Sequence, residues 1–306
     1  MKKILVTGSN GLLGQKIIYA LCKLKDVVCI STSRGANRMT KKDGYIYESL
    51  DLTQAENVKA VFAKYKPHIV INTAAMTNVD ACELNKEEAW RQNVTVVEHL
   101  VRECSEIDSH LIHLSTDFVF NGQNGPYVET DDTDPLSYYA LTKLEAENRI
   151  LSGSLKWAIL RTIIIYGVVD DNSRSNVVLW VINSLKNKKT ITVINDQFRS
   201  PTLAEDLADA CVSCALKGAT GIFHTSGREV MNIIDIAYIV ADFFGLDSQY
   251  IKPISSAELN QPAMRPPVTG FIIDKAVRQL DFHPKTFLEG LSQVKKQLEL
   301  VASPVR

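Results

Sequence analysis

Ile4-Leu5-Val6-Thr7-Gly8-Ser9-Asn10-Gly11-Leu12-Leu13-Gly14 is the stretch that decides the fold. Ile4 to Thr7 is a short apolar run, as expected of a strand buried on both faces. Leu12 to Leu24 follows, with Leu13, Ile17, Ala20 and Leu21 on one helical face. Between them Gly8, Gly11 and Gly14 recur at intervals of three. The first such glycine permits a tight turn, the second lets backbone approach a pyrophosphate, and the third lets helix pack on strand. The start of the helix then offers free N–H groups and a positive dipole end to phosphates. A plain strand-to-helix turn needs fewer glycines. The expectation is a dinucleotide site built from Gly8, Asn10, Gly11, Leu12, Leu13 and Gly14.

Working outward, the same alternation continues. Val27 to Ser31, Ile69 to Asn72, His110 to Ser115 and Trp157 to Thr162 read as strands. Ala55 to Tyr65, Asn85 to Cys104 and Leu136 to Leu151 read as the helices between them. Apolar strands alternating with amphipathic helices predict a Rossmann-type, doubly wound parallel sheet of the α/β class. The second half is less regular. Val177 to Lys186, Leu203 to Leu216, Ile233 to Phe244 and Phe287 to Leu300 read as helices, with short strands at Thr190 to Ile194 and Gly221 to His224. The expected organisation is a dinucleotide-binding domain over 1–165 and a smaller, mainly substrate-binding lobe over 166–306, interleaved with the first.

An NAD site places an acid about 20 residues after the glycine turn to hold the ribose 2′-hydroxyl. Here the second strand runs out into Ser31-Thr32-Ser33-Arg34, without a carboxylate. The planar fork of Arg34 suits a 2′-phosphate, and Ser33 can hydrogen-bond it. The cofactor read from this end is NADP(H), with NAD(H) as the alternative. Asp51 and Leu52 could meet the adenine, although Asp51 could equally be capping a helix.

Two further elements carry chemistry. Tyr139-Ala140-Leu141-Thr142-Lys143 sets a phenol and an ammonium four apart, on one helical face. A phenol of pKa about 10 is a weak acid at neutral pH, and a neighbouring cation brings it toward working range. Tyr138 is a rival phenol, but off that face. Upstream, Ser115-Thr116-Asp117-Phe118 follows an apolar strand, where parallel sheets bind ligands. A hydroxyl there could hold a carbonyl oxygen while the tyrosine protonates it.

Composition narrows the partners. The 306 residues carry a formal net charge of -1, so no basic excess points to nucleic acid. No apolar run is long enough to span a bilayer. The glycines after Ile4–Thr7 interrupt any signal-peptide core, so a cytoplasmic location is expected. Cys211 and Cys214 invite a redox or zinc reading, but Leu203, Leu207, Cys211 and Cys214 share one helical face and no second pair completes a metal site.

These residues carry a resemblance to the extended short-chain dehydrogenase/reductases and, within them, to the dTDP-4-dehydrorhamnose reductase branch. It runs through most of the chain: Gly8, Gly11 and Gly14; Asn72-Thr73-Ala74-Ala75; Val79-Asp80 with Glu83; Asn93; Ser115-Thr116-Asp117; Tyr139 with Lys143; Arg161-Thr162 before Tyr166-Gly167; Asp196-Gln197 before Pro201-Thr202; and Arg265-Pro266. The resemblance implies that Thr116, Tyr139 and Lys143 are catalytic, with Tyr139 and Lys143 also against the cofactor. It implies that Ala74 and Ala75 line the cofactor and that Asn93 buttresses the sheet. Gln197 and Arg265 would face a nucleotide-sugar, joined by Asp117, Phe118 and Arg199. The implied reaction is reduction of a sugar 4-keto group by NAD(P)H, from dTDP-4-dehydrorhamnose to dTDP-rhamnose, in a protein that could be a homodimer. Phe118, Ile164 and Arg199 depart from the branch's usual tyrosine, tryptophan and glycine, all toward the substrate. The branch's metal-linked dimer uses a glutamate where Gln15-Lys16 stands, so no metal is expected. A dehydratase would carry Thr-Asp-Glu where Phe118 closes the motif. An epimerase remains an alternative, as does a non-catalytic subunit resembling the beta subunit of methionine adenosyltransferase.

Overall fold

The computed structural model describes residues 1–171 and 175–302. The strands in chain order are β1 (Lys2–Thr7), β2 (Val27–Ser33), β3 (Ile46–Ser49), β4 (Ile69–Asn72), β5 (His110–Thr116), β6 (Trp157–Thr162), β7 (Ile165–Tyr166), β8 (Ile191–Ile194), β9 (Phe198–Arg199), β10 (Thr202–Leu203), β11 (Gly221–His224), β12 (Met231–Asn232) and β13 (Ile251–Ile254). Seven of them form one parallel sheet in the order β3-β2-β1-β4-β5-β6-β11. The chain reverses direction across the sheet between β1 and β4, and the crevice at such a switch point is where open α/β sheets bind ligands.

The period of two along β1 sets the layers. Ile4 and Val6 face α1 (Leu12–Leu21), α8 (Ala204–Lys217) and α11 (Asp274–Leu280), in a core with Ile17, Leu21, Leu207 and Cys211. Leu5 faces the opposite layer of α2 (Ala55–Tyr65), α5 (Val96–Glu106) and α6 (Tyr138–Leu151), with Phe62, Leu100 and Ala146. Fully burying each such side chain stabilises the fold by roughly 1.5–3 kcal/mol. A third core, with Tyr166, Ile182, Val193, Ile236 and Leu291, holds α7 (Val177–Lys186), α9 (Ile233–Phe243) and α12 (Phe287–Ala302) together. The second half also contributes to the first layer: β11 closes the sheet edge and α8 packs along α1. Cys211 and Cys214 are buried in that contact as free thiols, and burial pushes both above the ordinary thiol range.

The elements differ from expectation where burial pattern and length are weakest. β3 is a partly exposed edge strand of four residues without an apolar run, and periodicity does not reveal it. The helix expected over Asn85 to Cys104 is three pieces: α4 (Lys86–Trp90), a π-helical turn over Arg91–Thr95, and α5. The π turn delivers Asn93 inward. Its Oδ1 accepts from Met76 N at 2.8 Å, and its Nδ2 donates to Met76 O at 3.1 Å and Thr142 Oγ1 at 3.0 Å. Asn93 thereby ties the loop after β4 to α6. The first helix stops at Leu21 rather than Leu24, and α6 starts at Tyr138, capped by Ser137. Ile191–Ile194 pairs with Ile251–Ile254 in a separate parallel ribbon, a strand made inconspicuous by Pro253.

Candidate functional site

A cleft of about 500 Å³ opens along the carboxyl ends of β1, β2, β4, β5 and β6. Its nucleotide end is lined by Gly8, Asn10, Gly11, Leu12, Leu13, Gly14, Ser33, Arg34, Asp51, Leu52, Ala74 and Ala75, every residue expected there. Gly8 has φ +67°, and a Cβ there would stand 2.7 Å from Thr73 Oγ1 and 2.9 Å from Ala74 N. A Cβ at Gly14 would run into the Gly8 carbonyl oxygen. No side chain caps α1, and its first turn holds no acid, so the first N–H groups are left for an outside acceptor. This is a cradle shaped for backbone contact with a diphosphate.

The Asn10 side chain is buried and already committed. Nδ2 donates to Ala36 O at 2.9 Å, and Oδ1 accepts from Arg38 N at 2.9 Å. Asn10 builds the wall by fastening the loop after β2, and it brings Arg38 to the cleft beside the exposed Arg34. Asp51 Oδ1 accepts from the Thr53 N–H at 3.0 Å and the Thr53 hydroxyl at 2.8 Å. It lines the cleft and closes its own turn at the same time.

At the other end, Thr116, Asp117, Phe118, Tyr139 and Lys143 share one wall. Burial raises the Tyr139 phenol above its ordinary value; a hydrogen bond with Thr116 acts downward, and Asp117 and Cys82 act upward. The phenol is therefore fully protonated at neutral pH. Thr116 Oγ1 donates to Asp117 Oδ1 at 3.0 Å and accepts from Phe118 N at 3.2 Å. Its one proton is directed at Asp117, which lines the same cleft. Phe118 stands edge-on to Tyr139 with ring centroids 6.0 Å apart. Ile164, which also lines the cleft, has φ +28°, a left-handed backbone rarely adopted by a β-branched residue.

Of the residues expected at the substrate end, Thr116, Asp117 and Phe118 line the cleft. Gln197, Arg199 and Arg265 are not among the residues lining this cleft. Arg199 is 1% exposed. Its guanidinium donates to Phe198 O at 2.7 Å, Pro266 O at 2.6 Å, Pro267 O at 3.2 Å and Gln197 Oε1 at 3.2 Å. Its Nε lies 3.8 Å from Asp117 Oδ2, which also accepts from the Thr269 hydroxyl. Gln197 and Arg199 thus satisfy each other inside the protein, and the Asp117 carboxylate, though at the cleft wall, is spent on Thr116, Thr269 and Arg199. Arg265 donates to both carboxylate oxygens of Asp80, at 3.1 and 2.8 Å, so its charge is already matched.

Sequence reasoning missed a buried polar layer behind Tyr139 and Lys143. Lys143 Nζ donates to Leu114 O at 2.7 Å and lies 3.1 Å from His113 Nε2. His113 Nδ1 lies 3.0 Å from Asn72 Nδ2. Glu147 accepts from the guanidinium of Arg161, at 3.0 and 2.6 Å, and from the Ser115 hydroxyl. Two signals were available. Tyr139, Lys143 and Glu147 are spaced four apart, and His113 interrupts the apolar run between Leu111 and Leu114.

Glycine turn, switch-point cleft and tyrosine–lysine helix together define the class: an extended short-chain dehydrogenase/reductase. The chain belongs to the family described as RmlD substrate binding domain, which matches residues 1–300. It is 31% identical over 263 residues to methionine adenosyltransferase 2 subunit beta of Mus musculus, covering 84% of this chain and 76% of that protein. It is 30% identical over 271 residues to a dTDP-4-dehydrorhamnose reductase of Mycobacterium tuberculosis (strain CDC 1551 / Oshkosh), covering 86% and 83%. A solved dTDP-4-dehydrorhamnose reductase from Clostridium acetobutylicum superposes with a TM-score of 0.84 at 29% identity, covering 97% of this chain and 99% of that one.

Proposed function

We propose that this protein reduces the 4-keto group of a nucleotide-linked sugar, with dTDP-4-dehydrorhamnose as substrate and NADP(H) as the preferred cofactor. The observation that carries the reading is the shared cleft: Thr116, Tyr139 and Lys143 line one end, and the three-glycine turn lines the other. The glycine turn and the start of α1 would hold the diphosphate, Ala74 and Ala75 would run beside it, and Asp51 and Leu52 would meet the adenine. Ser33 and Arg34 would take the 2′-phosphate, with Arg38 close by. The bound reduced nicotinamide supplies a hydride to the carbonyl carbon. Tyr139 would give its proton to the C4 oxygen, which stays on C4 as the hydroxyl of the product. Burial keeps that proton on the phenol until it is needed. Thr116 donates to Asp117 Oδ1 at 3.0 Å and so holds that carboxyl group on the same wall as the phenol. The test is NADPH and NADH oxidation with a panel of nucleotide-4-ketosugars, in which dTDP-4-dehydrorhamnose with NADPH gives the highest kcat/KM.

A second reading draws on the likeness to methionine adenosyltransferase 2 subunit beta. There the cleft would bind a nucleotide without turnover, and the protein would serve a partner enzyme. A chain that binds NADP(H) but reduces none of the panel is the outcome that favours this reading. No helix among the described residues is long and apolar enough to cross a membrane, which suits either role.

A further inference from the structure

Tyr139, Lys143 and Glu147 follow one another at intervals of four along α6, so they share one buried face, and the first two line the cleft. Beneath that face, Ser115 on β5 and Arg161 on β6 are register partners, so their side chains leave the same side of the sheet. Both reach Glu147. Its Oε1 accepts from the Ser115 hydroxyl and from Arg161 Nε at 3.0 Å, and its Oε2 accepts from Arg161 Nη2 at 2.6 Å. Glu147, Lys143 and Arg161 are 1%, 2% and 3% exposed. Two cations and one carboxylate are thus buried together, where solvent screens them least.

A buried ammonium is costly without an opposite charge beside it. The other groups around Lys143 do not supply one. Asp117, at the end of β5, is spent on Arg199, Thr116 and Thr269. His113 on β5 lies 3.1 Å from Nζ, and burial together with Lys143 pushes it far below the ordinary imidazole value, so it brings no negative charge. Burial holds the protons of Tyr139 and of Cys82 on the helix Val79–Leu84. β1 and β4 contribute neutral Thr7 and Asn72. Leu114 O accepts from Nζ at 2.7 Å but is uncharged. What remains is Glu147, one helical turn along α6.

We infer that Glu147, held in place by Arg161 and Ser115, is a positioning residue that keeps Lys143 an ammonium inside the protein. The inference deepens the reductase reading, in which a cation stands beside Tyr139. Burial lowers Lys143 to about 8 while Glu147 acts upward, so the ammonium predominates at neutral pH by a modest margin. Without the carboxylate, burial acts unopposed and that margin is lost.

The test is NMR of the full chain with side-chain-labelled lysine and glutamate, Lys143 being assigned by the signal missing from Lys143→Met. In the wild type Lys143 is an ammonium at pH 7, and the Glu147 carboxyl carbon shifts at the midpoint of the lysine titration. Glu147→Gln keeps the size of the side chain and removes its charge. Its Lys143 protonation constant falls at least tenfold. The alkaline loss of kcat/KM for ketosugar reduction then begins about one pH unit lower, a movement that a merely structural ion pair does not produce. A folded Glu147→Gln protein with Lys143 unmoved overturns the inference, as does a wild-type Glu147 carbon that does not sense the lysine titration. If Glu147→Gln does not fold, the wild-type carbon decides. Neither NMR signal needs a substrate, so a chain that reduces no ketosugar leaves them standing.

Discussion

The two ends of the cleft rest on different grounds: the glycine turn on its spacing, Gln197, Arg199 and Arg265 on the family resemblance. At one end, the glycine turn, Ser33, Arg34, Asp51, Leu52, Ala74 and Ala75 all line the cleft. At the substrate end, Gln197, Arg199 and Arg265 turn to partners inside the protein. The first end is made of backbone, and its geometry follows from local conformation. The second relies on long polar side chains, and such a side chain goes to whichever partner the fold brings within reach. A cation that looks free in a sequence is therefore weaker evidence of a ligand than a glycine whose Cβ has no room.

The comparison can be broken at its centre by Tyr139→Phe, which removes the proton donor and nothing else. Turnover should fall by about 10²–10⁴ while NADP(H) affinity stays within about twofold, read by single-turnover oxidation and by titration calorimetry. Activity within tenfold of wild type would reject the phenol as the acid.

Arg199→Met tests whether the substrate-end arginine is internal. It strands Asp117, buried and already pushed above the ordinary carboxylate range by burial against the pull of Arg199. Unfolding should cost about 3 kcal/mol less at neutral pH. The sign follows from linkage. With its folded pKa raised further, Asp117 holds a proton in the native state that the unfolded chain has released, so stability falls as pH rises through the carboxylate range. Urea melts from about pH 4 to 7 should show the variant losing ground throughout, then holding constant once both states are ionised.

Arg34→Ala sharpens the other end. An exposed arginine should cost little stability, yet NADPH affinity should drop by about 1.5–3 kcal/mol with NADH hardly changed. Equal losses for both cofactors would mean that Arg34 is solvated. Arg265→Ala is expected to have the smallest effect, about 1 kcal/mol of stability for a partly buried pair with Asp80. A tenfold loss of nucleotide-sugar affinity in a fully folded Arg265→Ala protein would return this arginine to the substrate.

The strands of the main sheet show where legibility stops. Trp157–Thr162 and Ile69–Asn72 were read to the residue, because each begins with an apolar run and closes on polar residues at its carboxyl end. β3 was expected only as a strand ahead of Asp51, without bounds, because its alternation is too short and too exposed to stand out. The helix after Asn85 was read as continuous, and only packing against Met76 and Thr142 explains why it widens into a π turn at Asn93. Tyr139 and Lys143 were found by their spacing of four, but their protonation was not, since it depends on burial and on neighbours from β4 and β5.

By itself, the sequence determined the glycine turn, the parallel sheet it opens, the missing acid after β2 and the helical face shared by Tyr139 and Lys143. All of these are short-range properties of backbone freedom and hydrophobic period. Only the tertiary structure decided that Thr116 gives its proton to Asp117, that Arg199 and Arg265 are occupied, and that His113 reaches Lys143 from a strand 30 residues away. Charges and protons answer to distance in space, and in this chain the groups that set them lie as many as 185 residues apart.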